Sequence, residues 1–201
     1  MIIGLTGLIG SGKTEVARVW AKLGARIINC DDIGREVVEQ GRGIIQKLVR
    51  EFGSSILNKN GKLNRRRLGE RAFSSRKTTE MLNSIVHPAL LARLDHEIAF
   101  SRENNKVTIV DAALLIYWNY QKKMDFTVLV SSFQRLRYQR LIDRGLTLDE
   151  IRQRTHSQLT LKILRSKSDY VLHNNTDLAN LRLKARKLYL SLTEKEVDFS
   201  F

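Results

Sequence analysis

The sequence predicts an α/β fold in which helices cover both faces of a five-stranded parallel sheet. Five short apolar runs, most of them containing β-branched residues, alternate with longer segments of helical periodicity. A glycine-rich loop follows the first apolar run and precedes the first helical segment. Strands and helices that alternate in this way are joined by right-handed crossovers in a parallel sheet. These two observations together define the expected α/β architecture.

Each apolar run is expected to form one strand of the sheet, at 2–6, 26–30, 107–111, 126–131 and 170–173. The helices expected to pack on this sheet lie at 13–23, 132–144 and 176–194. Gly145 is placed to end the second of these helices. Residues 32–104 contain helical patterns but no convincing strand, so they predict a helical insertion after the second strand.

The glycine-rich loop carries the pattern Gly7-x-x-x-x-Gly12-Lys13-Thr14. Glycines let backbone N–H groups approach phosphate oxygens, and the positive end of the following helix points at the same anion. Lys13 brings a cation to the outer phosphates, and the Thr14 hydroxyl is placed to ligate Mg²⁺. The loop therefore predicts a nucleotide site of the phosphate-loop class, although it does not identify the acceptor. Its expected members are Gly7, Gly10, Ser11, Gly12, Lys13, Thr14 and Glu15.

Residues 145–167 resemble a lid. They begin with Thr147-x-x-Glu150, a capping box, and continue as an arginine-rich helix. A basic helical hairpin late in such a fold is typical of a segment that closes over bound nucleotide. The expected organisation therefore has a nucleotide-binding core, a helical insertion and a lid. The core comprises residues 1–31, 105–144 and 168–201. The insertion comprises residues 32–104, and the lid comprises residues 145–167.

Composition narrows the class of partner. Hydrophobic residues make up 42% of the chain, and no apolar run approaches the length of a membrane span. The one cysteine, Cys30, and the lack of a signal-peptide pattern favour a cytoplasmic location without a membrane partner. The formal net charge of +14 predicts anionic partners, either nucleic acid or a small molecule with several phosphates.

Seven segments occur in order across almost the whole chain: IIGLTGLIGSGKT, INCDDIGREVV, GKLNRRRL, IVHPALL, DAALL, QRLIDRG and SDYVLHNN. Together they resemble the dephospho-coenzyme A kinase family. The resemblance implies a three-layer phosphate-loop kinase fold and transfer of the ATP γ-phosphate to the ribose 3′-hydroxyl of dephospho-coenzyme A. It also implies ATP and Mg²⁺ as cofactors, no specific nucleic-acid partner, and an acceptor domain formed by residues 32–104.

The acceptor side is expected to involve Asp31. Asp31 and Asp32 follow the second predicted strand, at the edge where open α/β sheets bind ligands. They would lie beside the phosphate loop if the first two strands are close. Asp31 matches the family's acceptor-side aspartate, which implies the base that accepts the hydroxyl proton. Asp32 is expected to cap the following helix, and the alternative that both residues only cap stays open.

The resemblance implies further site residues. Arg140 and Arg144 lie one helical turn apart and match the arginines that clamp the β- and γ-phosphates, with a solvated helix face as the alternative. Asn174 matches an asparagine near the adenine of ATP, although it could equally be a turn residue. His87 matches an acceptor contact, while Pro88 is expected to end one helix and start the next. The expected catalytic residues are thus Lys13, Asp31, Arg140 and Arg144.

Three positions depart from the family pattern: Asn29, Ala113 and Tyr117. The family usually has aspartate, proline and an acidic residue there. Asp111, at the end of the third predicted strand, could reach Mg²⁺ through water. The departures concern acceptor contacts more than ATP binding, so we expect an altered acceptor KM and the same reaction.

Two alternatives remain at this point. A nucleoside or nucleotide kinase would share the loop, lid and sheet but differ in the insertion. A nucleic-acid-binding phosphate-loop protein would account for the net charge of +14. The sequence shows no clear nucleic-acid-binding motif and no apolar run ending in Asp-Glu, which disfavours the second alternative.

Overall fold

The computed structural model describes residues 1–104, 106–156 and 158–194. Its sheet has five parallel strands in the order β2-β3-β1-β4-β5. The strands are β1 Ile2–Thr6, β2 Arg26–Asn29, β3 Thr108–Asp111, β4 Phe126–Ser131 and β5 Tyr170–His173. All five predicted strands are confirmed to within one residue. Strands β1, β3 and β4 are almost completely buried, whereas the edge strands β2 and β5 are only partly buried.

Nine helices are present in the described residues. They are α1 Lys13–Lys22, α2 Cys30–Gln40, α3 Arg42–Phe52, α4 Arg65–Ala72, α5 Arg76–Glu103, α6 Gln134–Ile142, α7 Leu148–His156, α8 Leu161–Ser166 and α9 Leu178–Glu194. No described helix is both long and apolar enough to cross a lipid bilayer. Residues 105, 157 and 195–201 of the expected core and lid lie outside the described residues.

The chain divides into two compact units, Met1–Asn29 together with the chain from Ile98 onward, and Cys30–Glu97. We call them the core unit and the helical unit. The core unit contains the whole sheet, with Trp20 fully buried and its indole N–H donating to the Ala185 carbonyl oxygen at 2.8 Å. This bond ties α1 to α9 across the core.

The helical unit contains α2, α3, α4 and most of α5, as well as an isolated antiparallel bridge between Leu57 and Leu63. Its buried cluster is apolar and is formed by Val38, Leu48, Phe52, Ile56, Leu68 and Ala72. Asn64 caps α4, since its side-chain oxygen accepts a hydrogen bond from the Arg67 backbone N–H at 3.1 Å.

Two local expectations in the core unit are confirmed. Gly145 has φ 87, and the backbone N–H groups of Gly145 and Leu146 donate to the carbonyl oxygens at the end of α6, as in a Schellman motif. The capping box that precedes α7 is also present. The Thr147 N–H donates to Glu150 Oε2 at 2.8 Å, and the Glu150 N–H donates to Thr147 Oγ1 at 3.3 Å.

Two other expectations are wrong. Pro88 lies inside α5 and does not separate two helices. The missing N–H costs about 3 kcal/mol in a helix interior, but apolar residues on both sides of Pro88, such as Ile85 and the buried Leu94, hold the helix continuous. Asp32 is not the N-cap residue of α2, because this helix begins at Cys30, directly after β2, and Asp32 lies inside its first turn. Carboxylates there still face the positive end of the helix dipole.

Candidate active site

The phosphate loop is shaped by two glycines in left-handed backbone conformations. Gly10 has φ 78 and Gly12 has φ 100, a region that a Cβ disfavours. Gly12 is the N-cap of α1, so Lys13 and Thr14 form the first residues of the helix. The Ser11 N–H donates to the Leu8 carbonyl oxygen at 3.0 Å and closes the turn. This arrangement presents the N-terminal N–H groups of α1 to an anion.

Lys13 forms an ion pair with Asp111, whose side chain is only 5% exposed. Asp111 is the last residue of β3, and β3 lies between β1 and β2 in the sheet. The first two strands are therefore not neighbours. The expectation that Asp31 lies beside the phosphate loop assumed that these two strands are close. The acidic side chain that reaches the phosphate loop within the core unit is Asp111. It holds the Lys13 ammonium at the carboxyl edge of the sheet, where phosphates would compete for it.

Arg140 is half-buried and donates to four oxygens. Its Nη1 donates to the Gly10 carbonyl at 3.4 Å and to Ser132 Oγ at 3.1 Å. Its Nη2 donates to the carbonyl and the side-chain oxygen of Asn174 at 3.1 and 3.3 Å. Burial, followed by the charge of Arg144, lowers the pKa of Arg140. The interpretation as a solvated helix face therefore fails for Arg140, whereas Arg144 is exposed.

Asn174 is buried directly after β5 and supports the phosphate loop. Its side-chain Nδ2 donates to the Ser11 carbonyl oxygen at 2.8 Å. Its backbone N–H donates to the Ser131 carbonyl oxygen at 2.7 Å. A Cβ added at Gly12 would collide with the Asn174 amide, so the close approach requires glycine. Asn174 is thus more than a turn residue, since it connects the loop to β4 and Arg140.

Two residues that contact the loop were not predicted from the sequence, and both form hydrogen bonds with the backbone of Ile9. Arg137 is 5% exposed, and its Nη1 donates to the Ile9 carbonyl oxygen at 3.2 Å. Gln158, between α7 and α8, accepts the Ile9 N–H on its Oε1 at 3.0 Å. Arg137 had a usable signal, since it lies one helical turn before the buried Leu141. Gln158 had none, because its contact depends on how the segment between α7 and α8 folds.

The Glu15 side chain is directed toward α9. It accepts from Arg182 Nε at 2.7 Å and also pairs with Arg18. The hydrogen bond from Arg182, together with the charges of Arg182 and Arg18, lowers the pKa of the Glu15 carboxyl group despite its partial burial. Its carboxylate is therefore held by two arginines, and its backbone follows Lys13 and Thr14 in the first turn of α1.

Two residues expected on the acceptor side belong to the helical unit. Asp31 is exposed in the first turn of α2, two residues after the end of β2. His87 lies on α5, half-buried, and burial lowers the pKa of its imidazole. His87 is therefore neutral at pH 7.

Two of the three positions that depart from the family pattern lie at the carboxyl edge of the sheet. Asn29 ends β2 and is in register with Asp111. The Ala113 carbonyl oxygen accepts a hydrogen bond from Thr6 Oγ1 at 3.4 Å. Tyr117 has an exposed side chain, with 51% of its surface accessible. The first two departures are thus adjacent to the Lys13–Asp111 pair.

The parallel sheet, the loop between β1 and α1, and the arginine that bridges α6 to that loop define a phosphate-loop kinase. The chain belongs to the dephospho-CoA kinase family, whose profile matches residues 1–180. It is 38% identical over 190 residues to a dephospho-CoA kinase of Corynebacterium diphtheriae, covering 94% of this chain and 95% of that protein.

Solved structures agree on the fold. A dephospho-CoA kinase from Campylobacter jejuni matches with a TM-score of 0.75 and 21% identity, over 97% of this chain and 98% of that chain. A shikimate kinase from Acinetobacter baumannii in complex with shikimate matches with a TM-score of 0.53 and 17% identity, over 96% and 93%. The predicted fold class and family resemblance are therefore confirmed.

Proposed function

We propose that the chain transfers the γ-phosphate of ATP to the ribose 3′-hydroxyl of dephospho-coenzyme A and releases coenzyme A and ADP, the last step of coenzyme A biosynthesis. Membership of the dephospho-CoA kinase family over residues 1–180 carries this proposal. The core unit supports it with a glycine loop, an N-terminal helix turn and a lysine at the carboxyl edge of the sheet. These groups hold a nucleotide's phosphates.

We propose that Lys13 changes its ion-pair partner from Asp111 to the donor phosphates when ATP binds. In the free chain the Lys13 ammonium pairs with Asp111. Bound β- and γ-phosphates carry more negative charge than one carboxylate, so they draw the ammonium toward the loop. Arg140 would add planar donors as charge develops on the transferring group, with Arg144 as a more exposed second cation.

Mg²⁺ fits the oxygen donors at this edge. The described residues contain no cluster of three or more His, Cys, Asp or Glu side chains that would bind a metal by themselves. Mg²⁺ in kinases needs only one or two protein oxygens, because phosphates and water supply the rest. The Thr14 hydroxyl is the proposed direct ligand, and Asp111 would act through water. When bound, the ion neutralises charge on the β- and γ-oxygens.

Asp31 is proposed as the general base. As the acceptor oxygen bonds to the γ-phosphorus and the bond to the β-γ bridging oxygen breaks, the hydroxyl proton passes to the Asp31 carboxylate. Its exposure and its place two residues after the carboxyl end of β2 support this role. His87 is proposed to contact the acceptor as a neutral imidazole. Asn174, while it supports the loop, is proposed to lie near the adenine.

We propose that the chain is organised into a nucleotide core, an acceptor domain and a lid. The nucleotide core would comprise residues 1–31, 105–144 and 168–201, and residues 32–104 would receive coenzyme A with their basic surface. Residues 145–167 would close over ATP. The hydrogen bond from the Ile9 N–H to Gln158 Oε1 supports this proposal, because it places the segment against the phosphate loop. A cytoplasmic location, where ATP is available, remains a prediction.

An ADP-release assay tests the function directly. Dephospho-coenzyme A, AMP, adenosine and single-stranded RNA are supplied one at a time with ATP and Mg²⁺. Of the four acceptors, we expect only dephospho-coenzyme A to cause ADP release. Mass spectrometry and phosphorus NMR of the product should then show one phosphate added at the 3′-position. Turnover of AMP or adenosine instead would identify a different acceptor. Salt-sensitive RNA binding without turnover would favour the nucleic-acid-binding alternative.

A further inference from the structure

Arg137 is a buried cation that has no anionic partner among the residues the structure describes. Its side chain is on α6 and 5% exposed. Nη1 donates to the Ile9 carbonyl oxygen at 3.2 Å, while the buried Nε has no hydrogen-bond partner among the described residues. None of the ion pairs found in residues 1–104, 106–156 and 158–194 includes Arg137. The guanidinium is thus held by one neutral oxygen of the phosphate loop.

Such an arrangement is costly in the empty protein. A buried charge is normally paired, since transfer from water without a counter-charge is strongly unfavourable. Burial lowers the pKa of Arg137, which follows from the same penalty. Arginine nevertheless stays charged in proteins. Ser11 Oγ, two residues beyond Ile9, is likewise buried without a partner among the described residues. Both orphaned groups lie at the loop that receives phosphates.

We propose that Arg137 is a positioning residue of the nucleotide site: it holds the Ile9–Gly10 turn in place, and the phosphates of the bound nucleotide balance its charge. This inference rests on the nucleotide-binding part of the proposed function but not on the identity of the acceptor. It assigns to Arg137 a role separate from that of Arg140, which donates to four neutral oxygens of its own.

The packing places the backbone of α6 at Arg137 directly against the phosphate loop. Gly10 has φ 78, and a Cβ placed there would lie 2.8 Å from the Arg137 carbonyl oxygen and 3.2 Å from its Cβ. The α6 backbone is therefore in direct contact with the loop, without space for a water layer at that point. In such a poorly solvated environment the attraction between a cation and phosphates is screened weakly. The free energy of nucleotide binding should therefore contain a contribution from Arg137.

The test measures the empty protein and the complex separately. Arg137→Gln keeps much of the side-chain volume and hydrogen-bonding ability but removes the charge. We expect the melting temperature of the empty protein to stay the same or rise, and the Kd for ADP in calorimetry to rise about tenfold. In steady state the KM for ATP should rise more than kcat falls. Arg137→Lys, which restores the charge, should recover part of the affinity.

Arg135→Gln is the matched control, since it removes one exposed charge from the same helix. It should leave the affinity for ADP as in the parent protein. The proposal is overturned if Arg137→Gln binds ADP as tightly as this control. It is also overturned if Arg137→Gln unfolds or melts several degrees lower when empty, because Arg137 would then stabilise the fold by itself. ADP binding requires no acceptor, so a failure to phosphorylate dephospho-coenzyme A leaves these outcomes readable.

Discussion

The core unit and the helical unit differ in whether their polar side chains are buried or exposed. Every buried polar or charged side chain in the part of the chain that the structure describes belongs to the core unit. Several of these side chains, such as Asp111, Arg137 and Asn174, bond to residues of the phosphate loop. Buried hydrogen-bonded networks specify one geometry, because breaking any bond leaves an unsatisfied group in a poorly solvated interior. The loop is therefore organised before nucleotide binds.

The helical unit has an apolar core and carries its charges outside. Several of its ion pairs join exposed side chains one helical turn apart, such as Arg66 with Glu70 and Arg76 with Glu80. Pairs of this kind stabilise a protein by at most about 1 kcal/mol, since water and salt screen them. An anionic ligand could therefore compete for Arg66 or Arg76 at little cost in stability. The contrast is between buried polar groups in the core unit and exposed charges in the helical unit.

The largest expected effect is in the core unit. Lys13→Ala should lower kcat/KM about 10³-fold, because the transferring phosphoryl group loses a cation and the buried Asp111 loses its ion pair with Lys13. Steady-state kinetics with ATP and calorimetry with ADP measure the two consequences. Lys22→Ala, at the exposed end of the same helix, should behave like the parent protein. Equal effects of the two substitutions would contradict a specific role for Lys13.

The next test moves to the helical unit. Asp31→Asn should reduce kcat by about 10²-fold or more, since the attacking hydroxyl loses its proton acceptor. ADP affinity should stay unchanged, because the core unit is intact. Asp32→Asn removes the neighbouring carboxylate, which pairs with Arg35 at 2.9 Å, and should cost little. Near-parent turnover by Asp31→Asn would remove Asp31 from the role of base.

Arg140 and Arg144 allow a half-buried, hydrogen-bonded cation to be compared with an exposed one. Arg140→Ala should lower kcat on the order of 10- to 100-fold, because it removes donors held in place by Ser132 and Asn174. Arg144→Ala should have a smaller effect, since its side chain is exposed. Arg140→Lys retains charge but loses the planar donors, and it should recover only part of the rate. Indistinguishable kinetics for the two alanine variants would mean that prior positioning does not matter here.

The smallest effects are expected where the chain departs from its family. Asn29→Asp places a second carboxylate in register with Asp111, so like-charge repulsion should change the acceptor KM by less than about tenfold. Tyr117→Glu adds a negative charge at an exposed position and should raise the KM for the anionic acceptor. Both variants should keep the reaction and the ATP KM. A change in which acceptor is phosphorylated would show that these positions set specificity.

The sequence by itself determined the elements whose signals are local. Five buried apolar runs predicted the strands, the pattern from Gly7 to Thr14 predicted the phosphate loop, and Gly145 and the Thr147–Glu150 pair marked helix ends. Strand burial, turn conformation and capping depend on residues a few positions apart, so they can be predicted without knowing the fold. The family resemblance identified the chemistry in the same way, through short ordered segments.

Only the tertiary structure decided which distant groups meet. Asp111 reaches Lys13 because β3 lies between β1 and β2, a strand order that no local pattern specifies. Pro88 stays inside a helix because packing of its neighbours outweighs the missing hydrogen bond. Arg137 meets Ile9 across a sequence separation of 128 residues. Contacts of this kind follow from the arrangement of whole elements, and the free energy of their packing overrides local preference.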